Sequence, residues 1–399
     1  MIPHLTVGLG LALGTAADAR PAAPQTPDTI LVARKSRKLS TDPADKQWAK
    51  AAPMDVMLFR QRTVSLMDID ANEVLAKVGP RKATVRAMYS SEAVAVWVSW
   101  PDDTKDELNL DDGTYGDAIA FSLPVVFGEG VALPYLGMGD IDHPVVIASK
   151  RANRHAVQER QFIAAGFGSL QPIDINTEMS LTYDDEAKAW TAVFIRPLVD
   201  QNLNLEGAVH VPFSLATWDG SDLERGGYKS VMRWHALQLA PEETDAAYAA
   251  ALRWGEDGRE IGDAAHGKEL AGQLCIACHH FDDKTIAAPG IAPNLSSIGG
   301  QASASYIRDS ILDPSLVVVR NPNANRHYNK SGEKDRLGGY SPNPMYQWYT
   351  KTEDGGYQSK MPKYGHLSES DVDDIVAYLK STGQAAPAAT QPPATEAAP

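Results

Sequence analysis

Apolar and polar positions alternate along much of the first 240 residues. In "AVAVWVSW" the alternation puts Val94, Val96, Val98 and Trp100 on one side of an extended chain; "TVRAMY" precedes it, and "SSE" turns between the two. The same period of two recurs in "DAIAFSL", "HPVVIAS", "KAWTAVFI", "GAVHVPFSLATW" and "SVMRWHALQL", with Gly, Pro, Asn or Asp between the runs. Many short strands separated by turn residues predict an antiparallel β-sandwich from Trp48 to about Leu239. The Pro/Ala-rich and then basic stretch over 20–40 reads as a flexible lead-in. After Pro241 the period becomes helical. "PEETDAAYAAALRWGEDG" reads as a connector helix within 241–262, and "DAAHGKELAGQLCIACHH" and "SESDVDDIVAYLKST" as further helices. The last has Ser368 as N-cap and acids in its first turn. The Ala/Pro/Thr-rich stretch 383–399 is a disordered tail by composition. The chain is thus multidomain, a β unit followed by an all-α unit.

Length agrees, since 399 residues suit two or three domains. A net charge of −14 argues against nucleic acid or an anionic membrane surface as the main partner. The opening "MIPHLTVGLGLALGTAADAR" is apolar from Leu5 to Ala17, too short for a membrane span, and "ADA" ends at Ala19 as a small-residue cleavage site. Residues 1–19 therefore read as a signal peptide, although no Lys or Arg precedes the apolar stretch, and the mature chain is expected to be periplasmic.

Cys275 and Cys278 are the only cysteines, and His279 follows at once in "CIACH". In an exported chain this is a haem-attachment pattern: two thiols add to two vinyl groups a fixed distance apart, and the adjacent histidine falls beneath the iron. Zinc would want two more ligands at similar spacing, and a thioredoxin-like pair would want a βαβ setting. Together with "APGIAPNLSSIGGQASASYIRDSILDPS" and "KMPKYGHLSESDVDDIVAYL", the region 263–382 resembles class I cytochrome c domains. The resemblance implies a covalent haem c on Cys275 and Cys278, His279 as the proximal iron ligand and Met361 of the Met-Pro turn as the distal one. Met345 in "NPMYQW" is the rival for that place. It also implies that the cysteine-bearing helix crosses the last helix near Gly267 and Tyr378. An insertion from Arg320 to about Gly356 departs from the family.

The β unit has no P-loop, G-x-S-x-G or HExxH. His143, His155, His210 and His235 are scattered and read as surface or core residues. Asp102, Asp103, Asp111 and Asp112 read as solvated loop acids in preference to calcium ligands. By itself Lys229, in "GGYKS", is a strand-end lysine. However, "YLGMGDIDHPVVIASKRAN" and "ATWDGSDLERGGYKSVMRWHALQL" resemble the haem-binding γ subunit of the ethylbenzene dehydrogenase group. "DPADKQWAKAAPMDVML" and "VAVWVSWPDDTKD" extend the likeness over 40–240. These are periplasmic molybdenum enzymes of the dimethyl sulfoxide reductase family, and include chlorate reductase, dimethylsulfide dehydrogenase and relatives of nitrite oxidoreductase. The resemblance implies a non-covalent haem b held by Met138 and Lys229, and departs from the family at "VVIASKR", where more tryptophan is expected. Lysine ligates iron only as the free amine, which burial favours.

Taken together, the two resemblances imply a di-haem electron-transfer subunit, not itself an enzyme. Its partners would be a molybdenum catalytic subunit, an iron–sulfur subunit and a soluble or membrane cytochrome. The alternative is a carbohydrate-binding sandwich tethered to a cytochrome c. That reading needs a row of exposed aromatics drawn from Trp97, Trp100, Trp190, Trp218 and Trp234.

Overall fold

The computed structural model describes residues 30–62, 74, 77–109, 111, 113–128, 131–140, 142–154, 158–166, 169–239, 262–281, 292–318 and 348–382. The signal peptide, all but the last residue of the connector helix, the tail, His155, Asp112, Met345 and most of the 320–356 insertion lie outside the described residues.

Fourteen strands form one continuous sheet. In chain order they are β1 (Ile30–Val32), β2 (Arg34–Lys35), β3 (Met54–Arg60), β4 (Arg81–Tyr89), β5 (Ala93–Pro101), β6 (Ala118–Pro124) and β7 (Val145–Arg151). They continue as β8 (Gln158–Ala164), β9 (Gln171–Pro172), β10 (Glu178–Asp184), β11 (Ala189–Pro197), β12 (His210–Trp218), β13 (Ser230–Val231) and β14 (His235–Gln238). The spatial order is β10-β11-β5-β4-β3-β13-β12-β6-β7-β8-β9, with β14 beside β12. Pairing is antiparallel except at β1–β14 and β2–β4. The expected lead-in is therefore structured from Ile30 onward, because Leu31 and Ala33 are buried and their backbone pairs with the sheet.

Alternation does what the pattern predicts. Val96, Val98, Trp100 and Phe194 from one half of the sheet share a single core with Ile119, Phe121, Phe213 and Leu215 from the other. The Phe121 ring lies 5.6 Å from Phe194 and 6.2 Å from Phe213. Each large side chain buried there contributes about 1.5–3 kcal/mol. Among the described residues, β13 bridges the two halves by pairing with β3 on one side and β12 on the other.

The C-terminal unit comprises α1 (Ala264–Leu274), α2 (Ile298–Gln301), α3 (Ala304–Leu312), the hairpin β15 (Tyr349–Lys351)–β16 (Tyr357–Ser359) and α4 (Glu369–Ser381). It is helical but not all-α, since the end of the insertion folds as that hairpin. Its caps follow the sequence. Asp263 accepts from the amides of Ala265 and His266, Ser303 from Tyr306, and Ser368 from Asp371, with Glu369 and Asp371 in the first turn of α4. Ile307, Ile311, Val372, Ile375, Val376 and Leu379 form its core. α1 crosses α4 at Gly267, where a Cβ would stand 1.8 Å from the Asp374 carbonyl oxygen. Tyr378 lies a turn further along α4 and packs on Phe281, with ring centroids 5.8 Å apart.

The helical unit rests on the sheet at β3. Ser297 Oγ and Gln301 Nε2 donate to the Arg60 carbonyl, and Gly300 lies so close to the Phe59 ring that a Cβ would meet it at 2.1 Å.

Candidate functional site

The outer face of β6, β7 and β12 is hollow. Ala118, Ala120 and Ser122 alternate along β6, and the register sets Ala120 opposite Ala216 and Ser122 opposite Ser214. Small side chains at these positions leave a depression walled by larger ones, including Ile147, Phe162, Trp218 and Trp234. The cavity is about 550 Å³, within the usual range for small-molecule sites. Lys150, Arg151, Arg160 and Arg225 also line it. Burial, and then the nearby Arg160 charge, lower the pKa of Arg151. Arg225 lies 4.4 Å from the centre of the Tyr115 ring.

Met138 and Lys229 both line this cavity. Met138 has φ 76, a left-handed backbone that residues other than glycine rarely adopt and that persists where the surroundings enforce it. The surroundings are explicit. Asp140, 1% exposed, accepts hydrogen bonds from the backbone amides of Tyr135, Asp142 and His143. His143 Nδ1 lies 3.0 Å from the Asp140 carboxylate, and this bond raises the His143 pKa. The Met138 carbonyl accepts from Gly166, and Gly139 (φ 75) packs too closely on the His143 carbonyl for any side chain.

Lys229 is 4% exposed, and burial lowers its pKa to about 8. Its position is set by the loop between β12 and β13. Arg81 binds Asp219, Asp222 and the buried Glu224, at 3.1, 2.6 and 2.7 Å. Trp218 Nε1 donates to the Gly226 carbonyl, and Gly226 turns with φ 55. The Lys229 carbonyl then accepts from the Gln61 amide, which ties the residue to the end of β3. Lys229 thus lies just ahead of a strand, as its sequence position suggests, but faces inward.

A second cavity, of about 210 Å³, is lined by Cys275, Cys278, His279 and Met361. Both thiols are free; Cys278 is exposed, while burial pushes Cys275 up to about 11. His279 is 8% exposed, and burial lowers its pKa. Its Nδ1 is 2.8 Å from the Pro293 carbonyl, which can only accept, so the proton sits on Nδ1 and the Nε2 lone pair is left for a metal. Tyr364, three residues after Met361, donates its hydroxyl to the Leu274 carbonyl at the end of α1 and so ties the Met-Pro turn to the cysteine helix.

His235 Nδ1 bonds the Arg233 carbonyl. Asp102 is buried, contrary to the reading as a solvated loop acid; it lies with Asp117 and Asp219, and burial raises it to about 6 and Asp117 to about 7. Asp117 accepts from the Trp190 indole and from the amides of Asp106 and Gly220, so it ties together three segments of the β unit. Sequence reasoning missed the small-residue floor, whose signal was the alternating Ala-x-Ala-x-Ser of "AIAFS". It also missed Asp140 as the hub of the Met138 loop. The tryptophans do not form an exposed row: Trp100, Trp190 and Trp234 are buried, Trp97 packs beneath Arg86, and Trp218 faces the cavity.

Comparison with known proteins finds a family model and several relatives. The cytochrome c family model matches residues 264–383. The chain is 28% identical over 243 residues to chlorate reductase subunit gamma of Ideonella dechloratans, covering 58% of this chain and 95% of the relative. A putative respiratory nitrate reductase heme subunit of Haloferax mediterranei is 28% identical over 172 residues, covering 42% of this chain and 59% of the relative. Dimethylsulfide dehydrogenase subunit gamma of Rhodovulum sulfidophilum is 28% identical over 173 residues, with 41% and 62% covered. Homologues of the chain are thus gamma and heme subunits of oxidoreductase complexes, and a cytochrome c domain is present at its C-terminal end.

Proposed function

We propose that this chain is a di-haem electron-transfer subunit of a periplasmic molybdenum oxidoreductase complex, exported through residues 1–19. It would relay electrons between the iron–sulfur subunit of that complex and a soluble or membrane cytochrome. The β unit, a sandwich over 40–240, would hold a non-covalent haem b between Met138 and Lys229. The unit at 263–382 would hold a haem c through Cys275 and Cys278, with His279 and Met361 on the iron. The substrate chemistry belongs to the molybdenum subunit, and this chain is not itself an enzyme.

The observation that carries the reading is a methionine in a left-handed backbone and a buried lysine brought to the same cavity. Neither is favoured by folding alone, and both suit an iron ligand. The donors fit the group, since a thioether and an amine of lowered pKa both offer lone pairs to iron. The hollow face is apolar where a macrocycle would lie, and the cations Arg151, Arg160 and Arg225 suit two propionates. In the second cavity, His279 is held in the ligating tautomer by Pro293. When bound, each haem supplies an iron that gains or loses one electron. The chain's own residues orient it, exclude water and set its potential through the axial donors.

Counting haem before and after acid–acetone extraction tests the proposal. Two haems per chain are expected, one extractable and one retained. A single, wholly retained haem would remove the b site, and a wholly extractable pigment the c site. The intact protein is further expected to co-purify with molybdenum and iron–sulfur subunits, and isolation as a stable, polysaccharide-binding monomer would count against it.

A further inference from the structure

Leu136 lines both cavities, and Tyr135 beside it lines the second while Met138 lines the first. Tyr135 is 5% exposed and packs against Leu136 and Met138 on its own segment, and against Tyr306 and Trp348 of the helical unit. Leu136 also packs on the core of that unit. Among the described residues, the Tyr135–Met138 segment therefore borders both cavities. The Asp140 hub and the bond from Trp234 to the Pro134 carbonyl hold that segment still on the sheet side. On the helical side, α2 is clamped to β3 by Gln301, which is fully buried, and by the Gly300–Phe59 contact.

We propose that the Tyr135–Met138 segment is the common wall of the two cofactor sites and that the α2–β3 clamp fixes its thickness. Electrons then pass between the two irons within a single chain. The step is a bare electron exchange: one iron goes from ferrous to ferric, the other from ferric to ferrous, and no bond forms and no proton moves. Rigid, close packing suits it because no domain motion is needed. The inference rests on the two-haem reading, and it adds the route and the residues that hold it.

The test uses the full chain carrying both haems, counted first. A chain with one haem defeats the two-haem reading before any rate is measured. A flash-photoreduced flavin then donates one electron, and the two haem absorption bands are followed as they equilibrate. The expected rate is independent of protein concentration. Gly300→Ala pushes the added methyl into Phe59 and is expected to slow the equilibration severalfold, leaving the haem count, spectra and potentials unchanged. Phe59→Ala in the same chain removes the ring that the methyl meets and is expected to restore the rate. Gln301→Leu, which loses the bond to Arg60 without adding bulk to the contact, is the second variant if Gly300→Ala does not fold. A rate proportional to chain concentration, or a clamp variant that equilibrates as fast as the wild type, overturns the proposal.

Discussion

Replacing Lys229 with leucine removes an amine from a place where burial already opposes its charge. Burial lowers its pKa from 10.5 to about 8. At about 1.4 kcal/mol per unit, holding the ammonium in the folded chain at pH 7 costs on the order of 3 kcal/mol. That is a large share of a typical stability of about 5–15 kcal/mol. The sign follows from proton counting. The folded value lies below the unfolded one, so between about pH 8 and 10.5 the unfolded chain holds more protons, and the stability of the wild type without haem b rises across that window. Lys229→Leu lacks this dependence. Without haem b, the variant is expected to be more stable than the wild type at pH 7 by up to about 3 kcal/mol, and the gap should close above about pH 10. Urea unfolding followed by tryptophan fluorescence at the two pH values measures it. The same variant should lose the extractable haem. A variant less stable at pH 7, a gap that ignores pH, or an unchanged haem b spectrum would refute the reasoning.

Three further outcomes are expected. Met361→Ala should alter the haem c spectrum and Met361→His lower its reduction potential, while Met345→Ala leaves both alone; the reverse pattern in redox titration assigns the wrong methionine. Gly267→Ala forces a methyl into the Asp374 carbonyl and should destabilise the helical unit by about 1–3 kcal/mol or more, lowering its thermal midpoint but not that of the sheet. The bond to Asp140 raises the His143 pKa, so its stabilisation of the Met138 loop is present below the ordinary histidine value and lost as pH rises through the raised one. The protection factors of the amides at 135–143, taken relative to the base-catalysed intrinsic rates, should then fall above neutral pH, and Asp140→Asn should abolish that fall.

Periodicity made the strands legible because one face of each meets a shared core. β5 and β12 lie where their alternation places them, and the cap Ser368 marks its helix. Cys275, Cys278 and His279 were legible because their spacing is mechanical. The opposite face of β6 was harder to read: alanine and serine there make room, and a pattern of hydrophobicity does not register room. The Met138 backbone is set by Asp140, Gly139 and Gly166, which belong to tertiary closure. Asp102 looked solvated because the carboxylates gathered beside it, Asp117 and Asp219, come from other segments of the chain. The strands at Ile30–Lys35 escaped notice because their partners are the C-terminal part of the sheet and β4.

β3 is a strut used from both sides. Its last residue, Arg60, pairs with Ser230 in the sheet while its carbonyl receives Ser297 and Gln301, and the next residue, Gln61, holds the Lys229 carbonyl. The two bonds from the helical unit to Arg60 join positions 237 and 241 residues apart. Closing loops of that length costs entropy before any contact rewards it. The consequence is a shared footing: a change that shifts the end of β3 disturbs the seat of α2 and the backbone anchor of Lys229 together.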